Sequence, residues 1–127
     1  MRPLRTIVIF WVPLVAWFFV IHNFSATPSK DLPYIGIPHA DKIFHAVIYC
    51  ILGLLLIRAC DRSNFNVSLA KMVFLAIIIT ICYGAYDEWF QRSVPGRSCD
   101  LMDFLADSAG SMAGIFCYIA DRGSRRE

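Results

Sequence analysis

The sequence predicts an all-α membrane protein, a single-domain bundle of four transmembrane helices covering residues 1–127. The first observation is composition: 57% of the residues are hydrophobic and 17% are charged, whereas soluble domains are usually about 45–50% apolar. The second is that four apolar runs each approach the roughly 17–25 residues that cross a bilayer as a helix. These runs lie at about residues 6–24, 42–58, 68–91 and 100–120.

The first run follows Arg2 and Arg5, so it resembles the start of a secretory signal peptide. The apolar region of a signal peptide is shorter, roughly 7–15 residues, and a small-residue cleavage site follows it. Because the run is longer and no clear cleavage site follows, we expect an uncleaved first span. Pro13 is expected to disturb this helix, which neighbouring spans can tolerate.

Residues 25–40 are expected to form a loop at the membrane surface, with Tyr34 and Ile35 dipping into the interface. Proline and glycine prevent a continuous helix there, at Pro28, Pro33, Gly36 and Pro38. The second span then begins, with Asp41 as its expected N-cap. A four-residue repeat places three side chains on one face of this helix: His45, Tyr49 and Gly53.

A short polar turn separates the second span from the third and supplies helix-capping side chains, namely Ser63, Asn64, Asn66 and Ser68. The last turns of the third span place Gly84, Glu88 and Gln91 on one face. Asp87 and Glu88 are adjacent like charges at the end of a span, which are destabilising unless they are paired or functional.

The fourth span begins near Asp100, after a Pro95-Gly96 turn that places Arg97 just past the bend. Acids spaced by three and four residues stack on one face of this helix, at Asp100, Asp103 and Asp107. Gly110 and Gly114 form a G-x-x-x-G pattern, which permits close approach of another backbone within the bundle or in a homo-oligomer.

The distribution of basic residues predicts the orientation of the four spans. Eight basic residues are expected on one side: Arg2, Arg5, Arg58, Arg62, Lys71, Arg122, Arg125 and Arg126. Four are expected on the other: Lys30, Lys42, Arg92 and Arg97. Short cytoplasmic loops carry the excess of Lys and Arg. We therefore expect a multi-pass protein of the cytoplasmic membrane with both termini inside.

Six of the chain's ten acidic residues then gather where the spans meet this outer end: Asp41, Asp87, Glu88, Asp100, Asp103 and Asp107. Lys42, Arg92 and Arg97 offset only three of these charges. Near a low-dielectric boundary, the surplus requires a bound metal, shared protons or a cationic ligand. Histidine with carboxylates suits a divalent metal, but there is no H-E-x-x-H pattern, so metal and cofactor stay open. For His45, a hydrogen bond to Asp103 or Glu88 would suffice as a purely structural explanation.

These observations define the candidate site residues. The ligand-binding candidates are Asp41, Lys42, His45, Asp87, Glu88, Gln91, Arg97, Asp100 and Asp103. The catalytic candidates among them are His45, Asp87, Glu88 and Asp103. Asp107 is assigned to an internal polar network. A nucleic-acid partner is not expected, since the net charge is only +2 and no basic stripe with interleaved aromatics is present.

Three linked motifs resemble the VanZ-like family of small membrane proteins: Asp41-Lys42-x-x-His45, Tyr86-Asp87-Glu88-x-x-Gln91 and Pro95-Gly96-Arg97-x-x-Asp100-x-x-Asp103. The similarity covers roughly residues 34–117. The family commonly has Asn at the position of Asp107, so this chain carries one more acid. The family is named for a teicoplanin-resistance factor. The resemblance therefore implies action at the outer face, on the cell envelope or on something that binds it.

Three functions fit the sequence. The first is a non-catalytic envelope factor that binds a lipid-linked cell-wall intermediate or a lipid-tailed antibiotic, with Arg97 and Lys42 holding an anionic head. The second is a hydrolase or transferase for a lipid-linked substrate, with His45, Asp87 and Glu88 supplying a base or metal ligands. The third is a proton-coupled carrier that uses the acidic stripe as a relay.

Overall fold

A computed structural model describes residues 3–33, 36–63 and 65–124 of the chain. Within these residues the protein is all-helical and contains no strand. The four long helices are α1 (Leu4–Ala26), α2 (Ala40–Arg62), α3 (Leu69–Gln91) and α4 (Leu101–Ser124). The predicted all-α class is therefore confirmed. The membrane contacts predicted for Tyr34 and Ile35 lie outside the described residues.

The N-terminal part of α1 departs from α-helical geometry immediately before Pro13. Ile7–Trp11 form a π-helical segment, and the N–H of Val12 donates to the carbonyl of Ile7, five residues back. A proline ring clashes with the carbonyl four residues before it, and a π-bulge is one of the ways in which a helix accommodates such an obstacle. The disturbance expected at Pro13 thus takes the form of a π-helical segment.

The first turn of α2 corrects the expected cap. The helix begins at Ala40, and the capping position is His39, which has a left-handed backbone with φ 58°. Asp41 is therefore in the first turn and is not the N-cap. Ser68 does cap α3, since its Oγ accepts a hydrogen bond from the Lys71 N–H at 3.4 Å. At α4, Asp100 Oδ1 accepts a hydrogen bond from the Met102 N–H at 2.8 Å.

Successive helices run in opposite directions, which gives an up-and-down bundle. The C-terminal end of α1 reaches the end of α3, and the N-terminal ends of α2 and α4 lie at the same end of the bundle. Hydrogen bonds tie α1 to its neighbours: for example, Trp17 Nε1 donates to the carbonyl of Ile48 at 2.8 Å, and the Tyr83 hydroxyl donates to the carbonyl of Phe18 at 3.3 Å.

The most extensive helix pair is α2 with α4. A Cβ added at Gly110 would overlap the Ala46 carbonyl oxygen, and one added at Gly114 would overlap that of Cys50. The G-x-x-x-G pattern thus allows close backbone packing, as expected, but its partner is α2 of the same chain. The two glycines are therefore accounted for within one chain, and a homo-oligomer through them stays a prediction.

The outward surface of the bundle is apolar. Helices α1, α2 and α3 are long and apolar enough to cross a membrane, whereas α4 does not meet that criterion. Large hydrophobic side chains are exposed along the described helices, among them Val15, Phe19, Phe74, Leu75 and Phe116. Exposed apolar surface this extensive is typical of contact with lipid. The structure is that of a membrane protein.

Candidate functional site

Five ionisable side chains are buried at one end of the bundle, and the four least exposed of them, which we call the inner cluster, are His45, Asp87, Glu88 and Asp107. His45 comes from the start of α2, Asp87 and Glu88 come from the last turns of α3, and Asp107 comes from the second turn of α4. Their exposed fractions are 7%, 0%, 2% and 1%, respectively. Three helices therefore bring titratable groups together in one buried region.

Each member of the inner cluster is oriented by a specific contact. His45 Nδ1 lies 2.9 Å from Asp107 Oδ1, and Glu88 Oε2 accepts the backbone N–H of Asp100 at 2.9 Å. Asp87 Oδ2 accepts the Ser25 hydroxyl at 2.7 Å and, more weakly, the Gln91 amide at 3.5 Å. These contacts fix the rotamers of the four side chains.

Above the inner cluster, Lys42 is surrounded by three carboxylates, and we call these four residues the outer ion cluster. Its Nζ lies 2.8 Å from Asp41, 2.9 Å from Asp100 and 2.6 Å from Asp103. Lys42 lowers the pKa of the Asp100 carboxyl, which lies between α3 and α4, below its usual value. This ion pair is therefore intact at neutral pH and is lost only as the pH falls through that lowered pKa.

Several polar atoms at this end are buried and have no hydrogen-bond partner among the described residues. They are Asp87 Oδ1, Glu88 Oε1, Asp107 Oδ2, the Tyr49 hydroxyl and Arg97 Nε. Buried polar atoms are normally satisfied, and an unsatisfied one needs an explanation. One ligand atom each from His45, Glu88 and Asp107 lies within 4.8 Å of the other two. The arrangement can therefore hold a small cation.

An apolar groove of about 290 Å³ opens beside the inner cluster. Its walls come from the end of α1, the α1–α2 connection and the start of α2, with Phe24, Leu32, Pro33, Ile37 and Phe44 as the apolar lining. Asp41, His45 and Arg97 supply its polar part. His45 thus belongs both to the inner cluster and to the groove wall.

Arg97 is positioned by a contact between two loops. Gly96 has φ 74°, a left-handed backbone that favours glycine, and a Cβ there would overlap the Ser29 side chain. The Ser29 N–H donates to the Pro95 carbonyl at 3.3 Å. Arg97 itself donates to Gln91 Oε1 at 2.8 Å. Its guanidinium therefore lies against an amide and beside the groove.

A larger cavity of about 640 Å³ lies at the opposite end of the bundle, around the α2–α3 connection. Its Asp61 carboxylate accepts hydrogen bonds from Tyr118 at 3.0 Å and from Arg122 at 2.9 Å. This acid is thus neutralised by a neighbouring cation. Despite its size, the cavity lacks the buried unpartnered groups that mark the other end among the described residues.

The structure brings the predicted site residues to one end but divides them into layers. Asp41, Lys42, Asp100 and Asp103 form the outer ion cluster, and His45, Asp87 and Glu88 belong to the inner cluster. Gln91 is buried and connects Asp87 to Arg97.

The hydrogen-bond partner of His45 differs from the two that the sequence suggested. Neither Asp103 nor Glu88 forms the close contact: Asp103 Oδ2 is 4.0 Å from His45 Nε2, whereas Asp107 Oδ1 is 2.9 Å from Nδ1. Ser25 and Tyr49 were also not among the candidates. The acidic stripe at three- and four-residue spacing could have identified Asp107, whereas no pattern in the sequence relates Ser25 to Asp87.

The protein has an apolar exterior, helices that are compatible with a membrane, and a buried histidine–carboxylate cluster at one end. These features define an integral membrane protein with a polar internal site. The model of the VanZ/LLP1 family matches residues 1–121. The chain therefore belongs to the VanZ family, as the three motifs indicated, and the match extends beyond them to include α1. No curated protein and no solved structure was found to match the chain.

Proposed function

We propose that this protein crosses the cytoplasmic membrane four times, with both termini inside, and binds an amphiphile of the cell envelope in the groove at its outer end. The amphiphile would carry an anionic phosphate head, as in a lipid-linked cell-wall intermediate, and an apolar tail. The observation that carries the proposal is an apolar groove whose lining includes a cationic side chain, Arg97.

The assignment of α4 as the fourth membrane span is supported by the distribution of residues around this helix. Its acids Asp103 and Asp107 face the interior and are buried, whereas Leu101, Leu105 and Phe116 are exposed. The charges that lower the mean hydropathy of α4 are therefore shielded from lipid by the other helices. Intramembrane acids of this kind almost always face the bundle interior, so α4 is compatible with a transmembrane position.

The proposed orientation, with both termini inside, is supported by basic residues at the end of the bundle opposite the inner cluster. Arg58 and Arg62 lie over the Phe10 ring, at 4.9 and 5.9 Å from its centroid, and Arg122 pairs with Asp61. Arg2, Arg125 and Arg126, which also entered the prediction, lie outside the described residues. An excess of positive charge at this end supports a cytoplasmic position.

Arg97 is better suited than Lys42 to bind the head group. The ammonium group of Lys42 is already shared among three carboxylates, so the role proposed for it from the sequence is not supported. The Arg97 guanidinium has a buried Nε without a partner and lines the groove. Guanidinium matches phosphate geometry through two parallel hydrogen bonds, and the aromatic and proline side chains of the groove suit a hydrocarbon tail.

The binding experiment compares two arginine variants of the full chain in micelles. The probe is a fluorescent polyprenyl monophosphate, and the corresponding neutral alcohol measures the contribution of the tail. We expect Arg97→Gln to weaken phosphate binding about tenfold, or about 1.4 kcal/mol, with little effect on the alcohol. Arg92→Gln removes one charge from the exposed surface of the same loop and should leave both affinities unchanged. Equal losses in both variants, or none, would contradict the proposal.

A second candidate is a hydrolase or transferase acting on the same ligand. The observation that favours it is that His45 lines the groove and also contacts Asp107, which orients the imidazole for proton transfer. Incubation with a polyprenyl pyrophosphate probe would distinguish the two functions. Phosphate release by the wild type, absent from folded His45→Gln protein, would favour the enzyme, whereas binding without turnover favours the envelope factor.

A further inference from the structure

We propose that His45, Glu88 and Asp107 form a binding site for one divalent transition-metal ion at the polar end of the bundle. The proposal concerns the inner cluster alone and does not depend on what occupies the neighbouring groove. It rests on the spacing of the donor atoms, on buried oxygens without partners and on the charge that the cluster encloses.

The donor atoms are close enough to share one ion. One atom from each of the three side chains lies within 4.8 Å of the others. Ligands of a tetrahedral or octahedral metal are about 2.0–2.3 Å from the ion, which places them roughly 3–4 Å apart from one another. Small rotations of the side chains would therefore complete the coordination.

Each carboxylate uses one oxygen for orientation and keeps the other free. Glu88 Oε2 accepts the Asp100 N–H, and Glu88 Oε1 has no partner. Asp107 Oδ1 contacts His45, and Asp107 Oδ2 has no partner. Both side chains are at least 98% buried, with exposed fractions of 2% and 1%. An acceptor-only oxygen requires a hydrogen-bond donor or a cation, and no donor among the described residues reaches these two atoms.

The charge of the inner cluster points to a cation as well. Three carboxylates lie there with one imidazole, since Lys42 is engaged by the outer ion cluster. Buried charges without a counter-charge are costly by several kcal/mol each. A divalent ion would neutralise two of them and link α2, α3 and α4 at one point.

The surroundings of His45 resemble those of a metal ligand. Its Nδ1 faces Asp107, and its Nε2 faces Asp103 Oδ2 at 4.0 Å, an acid that Lys42 holds in place. Metal-bound histidines usually direct their other ring nitrogen to a carboxylate, which fixes the tautomer. One imidazole and two carboxylates suit Zn²⁺, Mn²⁺ or Fe²⁺ and leave a coordination position for water or substrate.

The test uses the full chain, purified in micelles without a histidine tag and stripped with a chelator. Zn²⁺ and Mn²⁺ are added separately, excess ion is removed by desalting, and bound metal is measured by plasma mass spectrometry. We expect one ion per chain, and an affinity at least about tenfold lower in His45→Gln and Glu88→Gln, as expected when a ligand is removed. Asp31→Asn removes an exposed acid and should bind like the wild type.

Two outcomes would overturn the proposal. In the first, the wild-type protein retains far less than one ion per chain with either metal. In the second, the His45→Gln and Glu88→Gln proteins fold and bind the metal with unchanged affinity. Size-exclusion profiles and circular dichroism establish folding. If the variants do not fold, Co²⁺ substitution in the wild type decides. A visible spectrum of nitrogen and oxygen coordination distinct from aqueous Co²⁺ supports the site, and the aqueous spectrum contradicts it.

Discussion

At the scale of single residues, the two ends of the bundle differ in how their carboxylates are satisfied. Asp61 is neutralised by Arg122 and hydrogen-bonded by Tyr118. Asp87, Glu88 and Asp107 are buried, and each retains an oxygen without a partner. Since such atoms cost roughly 1–3 kcal/mol each, the inner cluster is not explained by stability, which is why we assign it to binding.

Ser25 provides a direct measure of how strongly the inner cluster is held. Ser25→Ala removes the 2.7 Å hydrogen bond to Asp87 Oδ2 and leaves that oxygen only the 3.5 Å contact with Gln91. We expect the free energy of unfolding in micelles to fall by about 1–3 kcal/mol. Ser108→Ala is the matched control, because its hydroxyl donates only to the Phe104 carbonyl of its own helix. Equal effects in the two variants would show that Asp87 does not depend on Ser25.

At the scale of helices, α4 connects the site to the fold. Its buried face changes along the helix from acidic residues to glycine, and the glycines bring its backbone against α2. This close approach places Asp107 beside His45. Packing in the middle of the α2–α4 pair therefore determines the geometry at its end.

Gly114→Ala tests this packing. The added Cβ would overlap the Cys50 carbonyl oxygen, a backbone atom that cannot move without shifting α2. We expect a loss of about 1–3 kcal/mol in the free energy of unfolding, as for other overpacked cores. Gly123→Ala lies on the same helix with nothing within 4 Å of the added Cβ, so it should not destabilise the protein and should gain up to about 1 kcal/mol from helix propensity. A neutral Gly114→Ala would mean that the two helices are farther apart than described.

The sequence predicted the helices and the buried face of each because both depend on local periodicity. Gly84, Glu88 and Gln91 share a face by spacing alone, and all three are buried. The start of α2 could not be predicted in the same way, since a left-handed His39 has no clear signal in residue type. The π-helical segment before Pro13 likewise depends on how the helix absorbs a clash, and several local geometries could do so.

At the scale of the whole molecule, alternation of helix direction brings together the polar ends of α1, α2, α3 and α4. The alternation of helix direction was predictable, because the connections are short compared with the long apolar runs that they join. Which side chains then touch was not, because the choice of Asp107 over Asp103 as the contact of His45 depends on the relative rotation of α2 and α4. The G-x-x-x-G pattern predicts that a backbone packs closely against α4, but it does not specify that this backbone is α2 or how α2 is rotated.

The proposed orientation can be measured with the native Cys99, which is exposed in the connection between α3 and α4. In a protein that keeps only this cysteine, we expect a membrane-impermeant maleimide to label intact cells. A second protein, with Val67→Cys as its only cysteine, carries the thiol at an exposed position between α2 and α3. It should react only after permeabilisation. The reverse pattern would invert the topology, and labelling of both in intact cells would contradict four spans.

The central claim is that helices α2 and α4 bring His45 and Asp107 into one buried site, and a double-mutant cycle in micelles tests it most directly. His45→Phe and Asp107→Leu should each lower the free energy of unfolding, while the double variant should lose about 1–3 kcal/mol less than the sum. A control cycle pairs His45→Phe with Asp61→Leu, at the far end of α2, and should be additive within about 0.5 kcal/mol. Additivity between His45 and Asp107 would contradict the account.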